Sequence, residues 1–195
     1  LQVFDEIDST NEYLKKLVKR EAIPLAQPVL VAAQRQIAGK GTKGRKWFDS
    51  PTSLKFSLLI SFKREPERLA ILSPYIALKL RKVLASAAKE EIKIKWPNDL
   101  YCLGGKTAGI LTEVIHKKGK VYLIIGVGIN LAPDPEVIRN INSPVGSLFS
   151  HIEPDEMKRV RSLILSCACE EIIRAVRSLP EKFSAEEIKE WNHSD

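Results

Sequence analysis

Two strand-like stretches separated by only three residues constrain the fold more than any other feature of the sequence. Residues 107–116 and 120–129 are both rich in β-branched residues and partly alternate between polar and apolar. Lys117-Lys118-Gly119 lies between them and suits a hairpin turn. The sequence therefore predicts that these two strands are antiparallel neighbours in one sheet.

The other predicted elements do not alternate strictly between strand and helix. Further strands are predicted at residues 29–34, 54–62 and 92–96, and helices at residues 11–20, 68–89, 154–179 and 185–191. Because strands follow one another directly, with helices before, between and after them, a doubly wound parallel sheet is disfavoured. The predicted fold is α+β, with a mixed or antiparallel β-sheet covered by helices.

Composition narrows the class of protein. The 195 residues suffice for one domain, and no apolar run reaches the ~20 residues of a membrane helix, so we expect no membrane partner. Three cysteines do not make a disulfide framework, and we expect reduced thiols and a cytoplasmic location. The net charge of +7 suits a nucleic acid, a nucleotide or an acidic protein, so the positions of the charges must decide.

The segment Gly39-Lys40-Gly41-Thr42-Lys43-Gly44 matches the pattern G-x-G-x-x-G. A dinucleotide-binding turn would need a helix to begin there, but Pro51 and another strand follow instead. What remains is a glycine-rich basic loop (residues 39–46), whose lysines and Arg45 can neutralise phosphate. A solvated loop that binds nothing specific fits this segment equally well.

Single polar residues mark the ends of other predicted strands. Asp99 suits a magnesium ligand or a group that orients an amine, but also an Asx turn closing a hairpin. Lys106 begins a strand and can pair with a carboxylate or an α-phosphate, and Gly109 leaves room for a ligand beside it. Asn130 follows two strand glycines and suits a ribose or phosphate contact, although the glycines also suit close backbone packing.

Taken in order, five segments of the chain resemble the biotin–protein ligases. They are Asp8 to Asn11, Gln36 with Gly39 to Trp47, Lys95 to Asp99, Lys106 with Gly109 to Leu111 and Glu113, and Gly126 to Asn130. The resemblance implies a mixed sheet with helices on one side, related to the class II aminoacyl-tRNA synthetases. It also implies that biotin and MgATP give biotinyl-5′-AMP and pyrophosphate, and that the biotinyl group then passes to a lysine of a biotin carboxyl carrier protein domain.

The resemblance also implies roles for individual residues. Biotin would be bound by Ser9, Thr10, Asn11, Gln36, Gly39, Lys106 and Gly109. ATP and the adenylate would be bound by Lys40, Gly41, Thr42, Arg45, Trp47, Asn98 and Asn130. Lys106, Asp99 and Arg45 would be catalytic, with Asp99 orienting the carrier lysine. No residue is assigned to a metal, and Mg²⁺ is expected with ATP.

The sequence departs from the family in its basic loop. The family loop usually reads G-R-G-R-x-G-R, whereas Lys40 and Thr42 replace the first two arginines here. Because a lysine or threonine cannot bind phosphate bidentately, we expect faster release of the adenylate than from a two-arginine relative.

The remaining expectations concern the domains of the chain, its partners and two alternative functions. We expect residues 1–195 to be a catalytic domain with no N-terminal helix-turn-helix, so DNA is not an expected partner, and with the C-terminal β-barrel of many members absent or truncated. A homodimer is left open. The alternatives are a lipoate- or octanoate-protein ligase and a basic nucleic-acid-binding module. The second is disfavoured by an aromatic content of 7% and by a basic loop without interleaved aromatic residues.

Overall fold

The computed structural model describes residues 1–20, 27–63 and 66–192. Its strands are β1 Gln2–Ile7, β2 Val29–Gln36, β3 Ser53–Phe62, β4 Lys93–Lys95, β5 Asp99–Cys102, β6 Gly105–Lys117 and β7 Lys120–Asn130. Its helices are α1 Thr10–Arg20, α2 Leu72–Ala85, α3 Pro135–Asn140, α4 Pro154–Arg177 and α5 Ala185–Asn192, with 3-10 helices at Thr42–Gly44 and Pro66–Ile71.

All seven strands form one mixed sheet in the order β1-β2-β3-β7-β6-β5-β4. Strand β1 is parallel to β2, and every other neighbouring pair is antiparallel. Lys117 pairs with Lys120, and the intervening Lys118 and Gly119 have φ of 50° and 69°. Positive φ at both central residues is typical of a tight two-residue hairpin turn. The predicted hairpin and the predicted mixed sheet are thus confirmed.

Alternate residues of the central strands enter cores on opposite faces of the sheet. Leu58 and Ile60 of β3 belong to the large core beneath α2 and α4, which also includes Trp191 of α5. Leu59 instead packs with Leu14 and Val18 of α1 on the other face. The expectation of helices on one side is therefore wrong, because the apolar stripe of α1 covers the second face.

Several boundaries differ from the predictions. The helix predicted at residues 68–89 divides into the 3-10 helix Pro66–Ile71 and α2. Strands β1 and β5 and helix α3 were not predicted, because these short segments mix polar and apolar residues without a clear period. Asp99 does not lie in a turn: it begins β5 and pairs with Lys95 across a hairpin.

Three further features concern the cysteines and the helices. The three cysteines are free, as predicted, and Cys102 and Cys169 are buried while Cys167 is exposed. Burial raises the pKa of the Cys169 thiol to about 12. Among the residues that the structure describes, no helix combines the length and the apolar character that crossing a bilayer requires.

Candidate active site

A cavity of about 1070 Å³ opens between the start of α1, the basic loop and the ends of the central strands. Of the residues assigned to ligand or catalysis from the sequence, Gly39 alone does not line it. The cavity therefore brings together residues from five segments that are far apart in the chain. Their chemical roles stay predictions.

One end of the cavity consists of neutral side chains that are hydrogen-bonded to one another. The Thr10 backbone N–H donates to Gln36 Oε1 at 2.8 Å, and the Thr10 hydroxyl lies 3.1 Å from the same oxygen. That hydroxyl is also 2.6 Å from Ser57 Oγ, and Ser57 donates to Asn11 Oδ1 at 2.5 Å. These side chains are all buried, with Ser57 fully so. We call Thr10, Asn11 and Gln36, which line the cavity, together with Ser57 behind them, the neutral end.

A carboxylate behind the neutral end orients Asn11. Asn11 Nδ2 donates to Glu113 Oε2 at 2.8 Å, and Lys15 Nζ donates to Glu113 Oε1 at 2.8 Å. Burial acts to lower the pKa of Lys15, but its hydrogen bonds to Glu113 and Glu12 outweigh that effect and raise it. With Nδ2 on Glu113 and Oδ1 on Ser57, the Asn11 amide is held in one orientation.

Lys106 lies at the other end of the cavity in an ion pair. Its Nζ is 2.6 Å from Asp99 Oδ1. The backbone of Lys106 is fixed by a neighbouring segment, because its N–H donates to Pro144 O and its carbonyl accepts from Gly146 N, both at 3.0 Å. The position of this cation is thus set by both its strand and its carboxylate partner.

The side-chain amides of the two predicted nucleotide-binding asparagines donate hydrogen bonds to backbone carbonyl oxygens. Asn98 Nδ2 donates to Ile110 O at 2.8 Å. Asn130 Nδ2 donates to Lys106 O at 3.2 Å and to Gly146 O at 3.1 Å. Both residues line the cavity, and both also fix the strand that carries Lys106.

The cations of the basic loop are largely exposed, and Lys40 and Arg45 have partners close by. Arg45 Nη2 donates to Thr42 Oγ1 at 2.8 Å, and Arg45 Nε donates to Thr42 O at 3.2 Å. Lys40 Nζ lies 2.8 Å from Glu12 Oε1 and is 53% exposed. Burial acts to raise the pKa of Glu12, but hydrogen bonds from Lys15 and Lys40 lower it below its ordinary value.

The glycines of the central strands make room for side chains of the site. A Cβ atom at Gly128 would overlap the Trp47 ring, and one at Gly126 would overlap the Asn11 amide. At Gly109 it would lie 3.1 Å from Lys106 Cε and 3.2 Å from Trp47 Cζ3. The space predicted for a ligand at Gly109 is thus bordered by Lys106 and Trp47.

Sequence reasoning missed part of the neutral end. Ser57 was not predicted, although a serine among apolar residues in a predicted strand signals a buried polar group that needs a partner. Glu113 belonged to the resembling segments but received no role, and Lys15 and Glu12 of α1 were missed. The cavity wall at Ile141 and residues 143–145 was also missed.

A match to a protein-family model extends over nearly all of the segments that form this site. A sequence model described as the biotin/lipoate A/B protein ligase family matches residues 3–130. The chain belongs to this family. In the parts of the chain that the structure describes, no group of three or more His, Cys, Asp or Glu side chains is arranged to hold a metal ion.

Among the curated ligase relatives, the bifunctional ligase/repressor BirA of Salmonella typhimurium is 38% identical over 133 residues, which is 67% of this chain and 40% of that protein. The biotin–[acetyl-CoA-carboxylase] ligase of Paracoccus denitrificans is 36% identical over 132 residues, covering 66% of this chain and 53% of that one. The chain thus spans about half or less of the length of these relatives.

Solved ligase structures share the fold. The biotin protein ligase of Aquifex aeolicus, in complex with biotin and ATP, has 27% identity and a TM-score of 0.63, with 90% of this chain and 71% of that chain covered. The biotin acetyl coenzyme A carboxylase synthetase of Helicobacter pylori, with bound biotinylated ATP, has 25% identity and a TM-score of 0.66, with 99% of this chain and 82% of that chain covered. The predicted fold class is therefore confirmed.

Proposed function

We propose that this ligase-family chain activates biotin with MgATP to biotinyl-5′-AMP and transfers the biotinyl group to a lysine of a biotin carboxyl carrier protein. The observation that carries the proposal is one cavity with a buried neutral end and a cationic end. A neutral ureido ring matches the hydroxyl and amide groups of the first end, and a carboxylate with phosphates matches the lysines and Arg45 of the second.

In the first step, an oxygen of the biotin carboxylate attacks the α-phosphorus of ATP, and the bond from that phosphorus to the departing pyrophosphate breaks. The carboxylate is already ionised at neutral pH, so no general base is needed. Catalysis then consists of in-line positioning and neutralisation of negative charge. Lys106 would contact the biotin carboxylate and then the adenylate, while Arg45 and Lys40 would meet phosphate from the basic loop.

In the second step, the carrier lysine nitrogen attacks the acyl carbon, and the bond from that carbon to AMP breaks. The lysine ammonium loses one proton to solvent before the attack and a second as the amide forms, and Asp99 is the proposed group that orients the amine. Asp99 lies 2.6 Å from Lys106, so the same pair would meet both the adenylate and the attacking amine. Trp47 lies against Gly109 and Gly128 beside this pair and would exclude water from the acyl phosphate.

The cosubstrates follow from this chemistry. Mg²⁺ is taken to enter as the magnesium complex of ATP. The reaction would take place in the cytoplasm, where cysteines such as Cys102 and Cys167 stay reduced. Biotin is preferred to lipoate as the acid because the relatives and solved structures carry biotin in their names, whereas the family description alone covers both acids.

Exchange of labelled pyrophosphate into ATP tests the proposal. We expect exchange that depends on biotin and is not supported by lipoate or octanoate. Exchange with lipoate at the rate found with biotin would instead favour the lipoate-ligase alternative. No exchange, together with a strongly salt-dependent gel shift, would favour the nucleic-acid-binding alternative.

A further inference from the structure

Lys55 is a lysine in the interior of the sheet whose charge nothing in the proposed chemistry uses. It lies in β3 between the apolar residues Leu54 and Phe56, and its side chain is 1% exposed. Burying an ammonium group is costly unless it is paired and hydrogen-bonded. Burial lowers the pKa of Lys55, with Asp49 acting in the opposite direction. Such a residue calls for an explanation at this position.

All three donors of the Lys55 ammonium are used, and they join two segments. Nζ lies 2.8 Å from Ser50 O and 2.9 Å from Asp49 Oδ1, both in the segment that follows the basic loop. Its third contact is with Gln34 O at 2.5 Å, in the strand that precedes the loop. One buried cation therefore joins the chain entering the loop to the chain leaving it.

Asp49 extends this connection to the neutral end of the cavity. The oxygen that accepts from Lys55 also accepts the backbone N–H of Gln36 at 2.9 Å. Gln36 in turn accepts from Thr10 through its side chain. Asp49 is also only two residues from Trp47, whose backbone N–H donates to Gly39 O at 3.0 Å. A shift of Asp49 would therefore move groups at both ends of the cavity.

The buried ion pair of Lys55 and Asp49 is not required simply to fill the core. An apolar residue of similar length would avoid the desolvation of a charge, and replacing a whole buried pair with apolar groups is often neutral or stabilising. What methionine at residue 55 cannot do is donate to three oxygens of two segments. The specific property of the lysine is thus the connection between the two ends of the loop.

We propose that the buried Lys55–Asp49 pair is a positioning device that fixes the base of the basic loop, and through it Gln36 and Trp47. Its role in ligand binding rests on the proposed function, whereas its hold on the loop does not. Both residues act through others, since neither lines the cavity.

Trypsin cleavage of the basic loop tests the hold without any ligand. Cleavage after Lys40, Lys43, Arg45 and Lys46 is measured relative to cleavage after Lys118 in the distant β6–β7 turn, by mass spectrometry. We expect Lys55→Met to raise this ratio about tenfold and Asp49→Asn about threefold, because local opening of the loop becomes easier. A ratio unchanged in both variants would overturn the proposal.

A matched control separates positioning from a general loss of stability. Ile60→Val changes a buried residue of the same strand far from the loop, and it should lower the melting temperature without changing the cleavage ratio. An equal rise in the ratio for Ile60→Val would also overturn the proposal. Where Lys55→Met does not fold, Asp49→Asn carries the test, because Asp49 lies nearer the surface.

The second readout concerns the ligand. In biotin-dependent exchange, we expect Lys55→Met to raise the KM for biotin about tenfold, because the backbone of Gln36 loses the position that Asp49 fixes. A fall in kcat with unchanged KM would contradict positioning of Gln36. If wild-type protein shows no biotin-dependent exchange, the proposed function fails, while the cleavage ratio still decides the hold on the loop.

Discussion

At the neutral end of the cavity, Thr10 and Asn11 are each 3% exposed and are hydrogen-bonded to neighbouring side chains. In the basic loop, Lys40 is 53% exposed and contacts Glu12, and Arg45 folds back onto Thr42. The neutral end is already ordered before a ligand binds, so a matching ligand spends little binding free energy on ordering these side chains. The basic loop must exchange its present partners for those of a charged ligand. Under the proposed function, the neutral end would select the acid and the loop would retain the adenylate.

Lys106 belongs to neither of these two regions, and its removal should have the largest effect. We expect Lys106→Ala to reduce biotin-dependent pyrophosphate exchange by about 10³-fold, because a positioned cation at developing negative charge is worth roughly that much. Lys93→Ala, at an exposed lysine of β4, is the control and should keep wild-type exchange. Near-normal exchange by Lys106→Ala would contradict the proposal that the cationic end neutralises charge during the reaction.

Ser57 tests the preorganised region. Because Ser57→Ala leaves the buried Thr10 hydroxyl and Asn11 Oδ1 each without one partner, we expect biotin affinity to fall about tenfold and stability to fall by ~1–3 kcal/mol. Isothermal titration and urea unfolding measure the two quantities. Ser61→Ala on the same strand should change neither by as much. Biotin affinity within twofold of wild type would mean that this network does not select the acid.

The loop departures give a smaller effect in the opposite direction. We expect Lys40→Arg with Thr42→Arg to slow release of biotinyl-5′-AMP about fivefold, because each guanidinium adds a bidentate phosphate contact. Release is followed by trapping the free adenylate after a single turnover. A release rate equal to that of wild type would show that retention depends on other parts of the site.

The contact between the loop and α1 should have the smallest effect. Glu12→Gln removes the carboxylate that pairs with Lys15 and Lys40, and a partly exposed pair contributes only ~0.5 kcal/mol. Because the pKa of Glu12 is lowered in the folded chain, this contribution is present above its ordinary value of 4.5 and is lost as pH falls below that value.

Urea unfolding from pH 7 to pH 3 measures this small term. The difference between wild type and Glu12→Gln should shrink as the pH falls below 4.5, and it should also shrink at high salt. A difference that grows towards pH 3 would contradict the sign of the pKa shift.

The two regions also differ in how far the sequence predicted them. The resembling segments pointed to Ser9, Asn11, Gln36 and Lys106, and the cavity brings them together. Ser57 was missed because its partner Asn11 is 46 residues away, and a local pattern contains no information about such a contact. For the same reason, the pairing of Lys40 with Glu12 could not be read from the sequence.

The fold shows the same limit. Hydrophobic periodicity found α1, α4 and the β6–β7 hairpin, since each is long enough to show a period. Short β1 and α3 show none. The sheet order, with β7 inserted between β3 and β6, and the placement of α1 on the second face depend on contacts between distant segments, which a single sequence does not specify.

The division between the two ends is tested most directly by comparing biotin with its alcohol analogue, which has the same ring but no carboxylate. The ratio of the two dissociation constants is measured by calorimetry for wild type, Ser57→Ala and Lys106→Ala. We predict that Ser57→Ala weakens both ligands equally and leaves the ratio unchanged, while Lys106→Ala brings the ratio close to one. A ratio that changes in Ser57→Ala, or that stays at the wild-type value in Lys106→Ala, would contradict this division of roles between the two ends.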